Sequence, residues 1–167
     1  MSDRPSQDEL EGLAQELGQL LLERGWRVTA AESCTGGWIA QCLTAIAGSS
    51  DWFESGWVTY SNTAKSALLD VDPMTLERCG SVSSETAAAM ADGALRLAGA
   101  DIAVSVTGIA GPAGGSAEKP VGTVWFGFAG TTTNTLTEHH RFDGDRRSVR
   151  AKTVALALSR LIDLTAQ

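Results

Sequence analysis

The stretch Ala31-Glu32-Ser33-Cys34-Thr35-Gly36-Gly37 puts a serine at the end of an apolar run, with a polar, glycine-rich turn directly after it. Upstream, Trp26-Arg27-Val28-Thr29-Ala30-Ala31 carries β-branched and aromatic residues between turn signals and predicts a strand. Downstream, Trp38 to Ile46 is mostly apolar, with Gln and Thr spaced among the bulky residues, and predicts a helix. Ser33 therefore falls at a strand-to-helix junction. There a side chain projects from the sheet edge, and free N–H groups of the next helix are expected to point outward. That geometry suits a nucleophile or an anion cradle. The same residues also suit a helix N-cap, because Ser and Thr are preferred caps and Gly-Gly is ordinary turn chemistry.

Working outward, the flanking segments alternate. Leucines 10, 13, 17, 20 and 21 lie on one face of a helix over Gln7 to Arg24, which Gly25 ends. Ala47 to Asp51 is a loop, Phe53 to Tyr60 a strand, and Ser61-Asn62 caps a helix across Ala64 to Leu69. Asp72-Pro73 opens a short helix with proline at its first position. Ser83-Ser84-Glu85-Thr86 opens an alanine-rich helix to about Ala98, stopped by Gly99. Asp101 to Thr107 is an apolar strand of the kind buried on both faces. Gly108 to Pro120 is a loop. Val121–Ala129 and Thr131–Phe142 pair as an antiparallel hairpin through Gly130, and a last helix runs from about Asp145 to Leu164. This order predicts one three-layer α/β/α domain over residues 1–167, with a mixed, mostly parallel sheet closed by a hairpin.

A chain of 167 residues can bury a real core, and 43% apolar with 20% charged residues is globular composition. The net charge of −7 argues against a duplex-binding surface, so no nucleic-acid partner is expected, while a small anion held by a few local Arg or Lys residues is not excluded. Cys34, Cys42 and Cys79 are too few and too irregular for a disulfide framework or a zinc site; no metal and no cofactor are expected. Met1 to Glu11 is polar and acidic, without the apolar core of a signal peptide, and no run reaches the length of a membrane span. A cytoplasmic protein with no membrane partner is the expectation.

Three further stretches carry chemistry. In Val58-Thr59-Tyr60-Ser61-Asn62-Thr63-Ala64-Lys65, Tyr60 ends a strand and Lys65 falls on the first turns of the following helix. Lysine commonly sits on a helix face in water. Here Ala64, Ala67, Leu68 and Leu69 surround it, and a buried lysine of lowered pKa is a competent base for a serine hydroxyl. Thr107-Gly108-Ile109-Ala110-Gly111-Pro112-Ala113-Gly114-Gly115 follows a buried strand, where ligands of α/β sheets collect. It reads either as an anion nest or as a mobile surface loop. In Phe142-Asp143-Gly144-Asp145-Arg146-Arg147-Ser148-Val149-Arg150, arginines at a helix start oppose the macrodipole. Arg146 and Arg150, four apart, share one face and either grip a phosphate or carboxylate or pair with Asp143 and Asp145. Cys34 beside Ser33 is an alternative nucleophile, but His139 and His140 lie far away in a polar strand and no base for it is evident.

Together the Ser33 and Lys65 stretches, Gly108-Ile109-Ala110-Gly111-Pro112 and Lys119-Pro120-Val121-Gly122-Thr123-Val124-Trp125 resemble the C-terminal domain of the CinA family, over about Leu10 to Leu164. The resemblance implies a small-molecule nucleotide substrate: hydrolysis of the carboxamide of nicotinamide mononucleotide, in pyridine nucleotide recycling. It implies Ser33 as nucleophile, Lys65 as the base that activates it, and Tyr60 as an aid to proton transfer or to placing Lys65. Thr35, Gly36, Asn62, Thr107, Gly108, Gly111, Arg146 and Arg150 are the expected substrate contacts. A homo-oligomer is expected, and a non-catalytic nucleotide-binding module is the competing expectation.

Overall fold

Leu10, Ala14, Leu17 and Leu21 form one fully buried stripe along α1 (Gln7–Arg24). A reciprocal Ser6–Glu9 capping box opens that helix, and Gly25 closes it in the left-handed region. The computed structural model describes residues 3–167. After α1 come β1 (Val28–Glu32), α2 (Trp38–Thr44), β2 (Phe53–Val58), α3 (Asn62–Leu69), α4 (Pro73–Cys79) and α5 (Ser84–Ala98). β3 (Ile102–Gly108), β4 (Thr123–Gly130), β5 (Thr133–Arg141) and α6 (Arg146–Ala166) complete the chain. Ser61, predicted as a cap, and Asp72, Ser83 and Asp145, at the predicted helix starts, each accept a hydrogen bond from a backbone N–H of the helix they open.

The strand order is β2-β1-β3-β4-β5. β2, β1 and β3 pair in parallel, β4 runs antiparallel to both neighbours, and four of the five strands therefore point the same way. The sequence puts the hairpin turn at Gly130. Instead Gly130 is the last residue of β4, paired with Thr133, because an irregularity between Phe128 and Gly130 shifts the register and leaves Thr131-Thr132 as the turn.

Side-chain alternation along the strands sorts the two faces. Val28, Ala30, Val104, Val106, Val124, Phe126 and Phe128 meet α1, α2 and α6, whereas Ala31, Ala103 and Ala129 meet α3, α4 and α5. The second face is built from small residues, so α5 lies close to the sheet: Ser105 Oγ donates to Ala87 O at 2.5 Å. A Cβ on Gly127 would overlap that same carbonyl, and a Cβ on Gly93 would overlap Leu69 O. The layers that result leave the C-terminal ends of β1 and β3 open side by side, between the starts of α2, α3 and α6.

Candidate active site

β1 is flanked by hydrogen-bonded neighbours on both sides and is buried along its whole length. Its register fixes the residue that follows: Ser33 N–H donates to Val106 O at 3.0 Å, so the nucleophile candidate leaves the sheet from a rigid edge. Gly36 and Gly37 then take φ of 61° and 101°, a left-handed pair that only glycine adopts without strain. This reversal lets Gly36 N–H reach Ser33 O at 3.1 Å and starts α2 two residues later.

The sequence expects free amides at the start of α2 or Ser33 as its cap. Neither is found. The preceding residue, Glu32, is fully buried and folds back over the turn. Its carboxylate accepts Thr35 Oγ1–H at 2.6 Å, Ile39 N–H at 2.8 Å and Ala40 N–H at 3.0 Å. Those donors satisfy the helix start and leave Ser33 Oγ uncommitted to capping. Burial pushes the Glu32 carboxyl above the usual carboxylate range, and its hydrogen-bond donors, Thr35 foremost, oppose that rise. The sequence held a signal for this: Val28, Ala30 and Glu32 alternate on one face, and the first two are core. Thr35, expected to touch substrate, is fully buried with its hydroxyl spent on Glu32.

Lys65 is buried, with 1% of its surface exposed, which overturns the water-facing reading. Ser61 caps α3, so Lys65 stands one turn into the helix and its chain runs back under the end of β2. Nζ lies 3.0 Å from Thr59 O, 3.1 Å from Tyr60 O and 3.1 Å from Ser33 Oγ. No carboxylate pairs with it among the described residues. Burial without a counter-ion holds the amine below its ordinary range. Both carbonyls can only accept, so they must face N–H bonds of Lys65 whatever its protonation state. A neutral amine keeps two N–H bonds and one lone pair, and the lone pair is left for the Ser33 hydroxyl.

Cys34 shares the turn, but burial pushes its thiol up to about 12, so no thiolate forms near neutral pH. The phenol of Tyr60 is exposed and accepts from Arg146 Nη2 at 3.2 Å, while its carbonyl holds Lys65; the backbone of Tyr60, rather than its ring, touches the Lys65 amine.

Ser33, Tyr60, Lys65, Thr107, Gly108 and Arg146 line one cavity of about 150 Å³, together with Cys34, Ser81, Val82 and Ala110. Ser81 and Val82 carried no signal in the sequence, whereas Ala110 belongs to the glycine loop singled out there. Thr107 Oγ1–H donates to Ser81 O at 2.7 Å and so draws the segment before α5 over the end of β3. Asn62 lies elsewhere, at a surface depression with Thr63 and Glu77. Gly36 and Gly111 do not line the cavity; Gly111 O accepts Arg146 Nη1 at 2.8 Å.

Next to this cavity, and sharing Arg146 with it, a cleft of about 590 Å³ is lined by Gln7, Trp38, Asp145, Arg146, Arg147 and Arg150. The alternative pairing of the arginines with Asp143 and Asp145 is not what holds them. Asp145 accepts Ser148 N–H as the cap of α6, and Arg150 donates to Cys34 O and Thr35 O, each at 3.0 Å.

The chain is 57% identical over 153 residues to "Nicotinamide-nucleotide amidohydrolase PncC" of Enterobacter agglomerans, a match spanning 92% of this chain and 93% of that protein. It is 54% identical over 153 residues to the protein of the same name from Escherichia coli K12, again over 92% and 93% of the two chains. Among solved structures, the competence/damage inducible protein CihA of Agrobacterium tumefaciens superposes with a TM-score of 0.92 at 46% identity, over 100% of both chains. The family described as the CinA C-terminal domain matches residues 10–165, and the chain belongs to that family.

Proposed function

We propose that the protein hydrolyses the carboxamide of nicotinamide mononucleotide to nicotinic acid mononucleotide and ammonia, with Ser33 as nucleophile and Lys65 as its base. The observation that carries the mechanism is the buried, counter-ion-free Lys65 amine 3.1 Å from Ser33 Oγ, with both neighbouring carbonyls fixing its N–H bonds. The names of the relatives above support the substrate.

In this reading Lys65 Nζ takes the Ser33 hydroxyl proton as Oγ forms a bond to the amide carbon. Negative charge builds on the carboxamide oxygen. Gly36 N–H is committed to Ser33 O, and those of Ile39 and Ala40 to Glu32, so we assign oxyanion stabilisation to the amides of Cys34 and Thr35. Lys65 returns its proton to the amide nitrogen, the C–N bond breaks, and ammonia leaves. Water then gives a proton to Lys65 while its oxygen attacks the ester, and Ser33 departs with that proton. The arginine-lined cleft beside the cavity suits the ribose phosphate. The same reading makes the protein a single-domain cytoplasmic enzyme of pyridine nucleotide recycling that needs no cofactor.

Ammonia release from nicotinamide mononucleotide by the protein and by Ser33→Ala tests this. The expected result is turnover that disappears in the variant while nucleotide binding survives. Undiminished turnover by Ser33→Ala would sink the nucleophile assignment, and nucleotide binding without turnover by the unaltered protein would favour a binding module.

A further inference from the structure

The two arginines that border the anion cleft are each tied to one half of the Ser33–Lys65 pair. Arg150 Nε and Nη2 hold the carbonyls of Cys34 and Thr35, the two residues after Ser33, and its guanidinium lies over the Trp38 ring at 5.5 Å. Arg146 Nη2 holds the Tyr60 phenol at 3.2 Å, and the Tyr60 carbonyl receives a hydrogen bond from Lys65. Both arginines rise from the first turns of α6, one helical turn apart and on one face. Each guanidinium has five N–H donors, and the contacts above, with Gly111 O on Arg146, use two of them on each. Donors remain for an anion without releasing the clamp.

Arg146, Arg147 and Arg150 also crowd positive charge at a helix start that disfavours it, with Asp145 spent as the cap. A dianion placed between them removes that repulsion and fixes both guanidinium groups. Resting on the amidase reading above, we propose that a phosphate monoester bound in this cleft aligns Ser33 with Lys65 through Arg150 and Arg146. The phosphate then governs turnover as well as affinity. Remote binding energy is expressed in kcat only when it positions reacting groups, and a merely adhesive phosphate site would change KM alone.

The test compares steady-state ammonia release from nicotinamide mononucleotide, from nicotinamide riboside, and from the riboside with added inorganic phosphite. The expected kcat on the riboside is at least ~10-fold below that on the mononucleotide, since small misplacements of reacting groups cost up to about 100-fold. Phosphite raises riboside turnover at least ~10-fold and saturably, because it supplies the missing dianion. Arg150→Lys keeps the charge but cannot bridge two carbonyls. It is expected to lose the phosphite activation and most of kcat while its KM for the mononucleotide changes less than about tenfold. A riboside kcat equal to that of the mononucleotide, or phosphite without effect on the unaltered protein, overturns the coupling and leaves the amidase reading intact. No ammonia from the mononucleotide itself overturns the amidase reading, and the coupling falls with it. The phosphite arm uses the unaltered protein, so the test stands even if Arg150→Lys folds poorly.

Discussion

Two cavities lie at opposite ends of the sheet. The larger, about 440 Å³, is lined by Arg24, Trp26, Asp101, Ile102, Phe128 and Leu136 among others, around the start of β3 and the end of β4. The smaller, about 150 Å³, sits where β1 and β3 end and holds Ser33, Lys65 and Arg146. Volume and apolar lining would choose the first. The second contains what a folded chain has no structural reason to keep: a buried lysine without a counter-ion beside an uncommitted hydroxyl. Burying an unpaired charge costs several kcal/mol, which is why the amine is held toward its neutral form, and a group so perturbed in a cleft marks a candidate functional site. The parallel strands also point their carboxyl ends at the small cavity, where α/β sheets place their ligands.

The sharpest way to break this contrast is to remove one member of the pair. Ser33→Ala and Lys65→Met should each lower kcat at least ~10³-fold, about 4 kcal/mol of transition-state stabilisation, with the thermal transition preserved. Lys65 also sets a pH signature. Its amine is held below the ordinary value of 10.5, so kcat/KM should rise about tenfold per pH unit and level off before 10.5 is reached. The unfolded chain keeps a proton that the folded chain has released between the folded value and 10.5, so stability rises with pH across that window. Denaturant unfolding followed against pH should show that rise as the difference in stability between the native protein and Lys65→Met, because the buried Cys34 and Cys42 thiols, raised from 9.0, lower the stability of both proteins above pH 9.

The opposite cavity should answer in stability alone. Phe128 is buried on its wall, and Phe128→Ala should cost about 3–5 kcal/mol in denaturant unfolding. Turnover per folded molecule should not change. A drop in kcat at full folding would show that the two ends of the sheet communicate. Gly93→Ala lies between the two cases. Its Cβ would overlap Leu69 O at the end of the helix that carries Lys65, so a loss of about 1–3 kcal/mol should come with a fall in kcat.

How much of this was legible in the sequence follows from the range of the interaction behind each feature. Helix caps at Ser61, Asp72, Ser83 and Asp145 act over two or three residues, and the sequence marks them. The junction at Ser33 is equally local. Burial of Lys65 was an open alternative, suggested by its apolar neighbours but decided by the packing of α3 on α5 at Gly93. Alternation with Val28 and Ala30 points Glu32 inward, but the backbone groups that Glu32 and Arg150 bind leave no residue-type signature. Ser81 and Val82 join the cavity only through the hydrogen bond from Thr107 across 26 residues.

The mildest test concerns the thiol next to Ser33. Cys34 lines the same small cavity as Ser33, and a thiol is intrinsically the better nucleophile once ionised. Ionisation is what this environment denies it. Cys34 is 6% exposed, and burial, aided by the nearby Glu32 carboxylate and opposed by Arg150 and Lys65, raises its thiol to about 12. Its S–H therefore behaves as a small apolar group that packs behind the turn. Cys34→Ala removes one sulfur from a well-packed wall and leaves the backbone carbonyl that Arg150 grips. Turnover of nicotinamide mononucleotide should fall by less than about fivefold, and stability by about 1 kcal/mol. Iodoacetamide should leave the rate unchanged over the time of the assay. A loss approaching that of Ser33→Ala, or inactivation by the alkylating agent with labelling at Cys34, would move the nucleophile one residue along the turn and leave Lys65 without its partner.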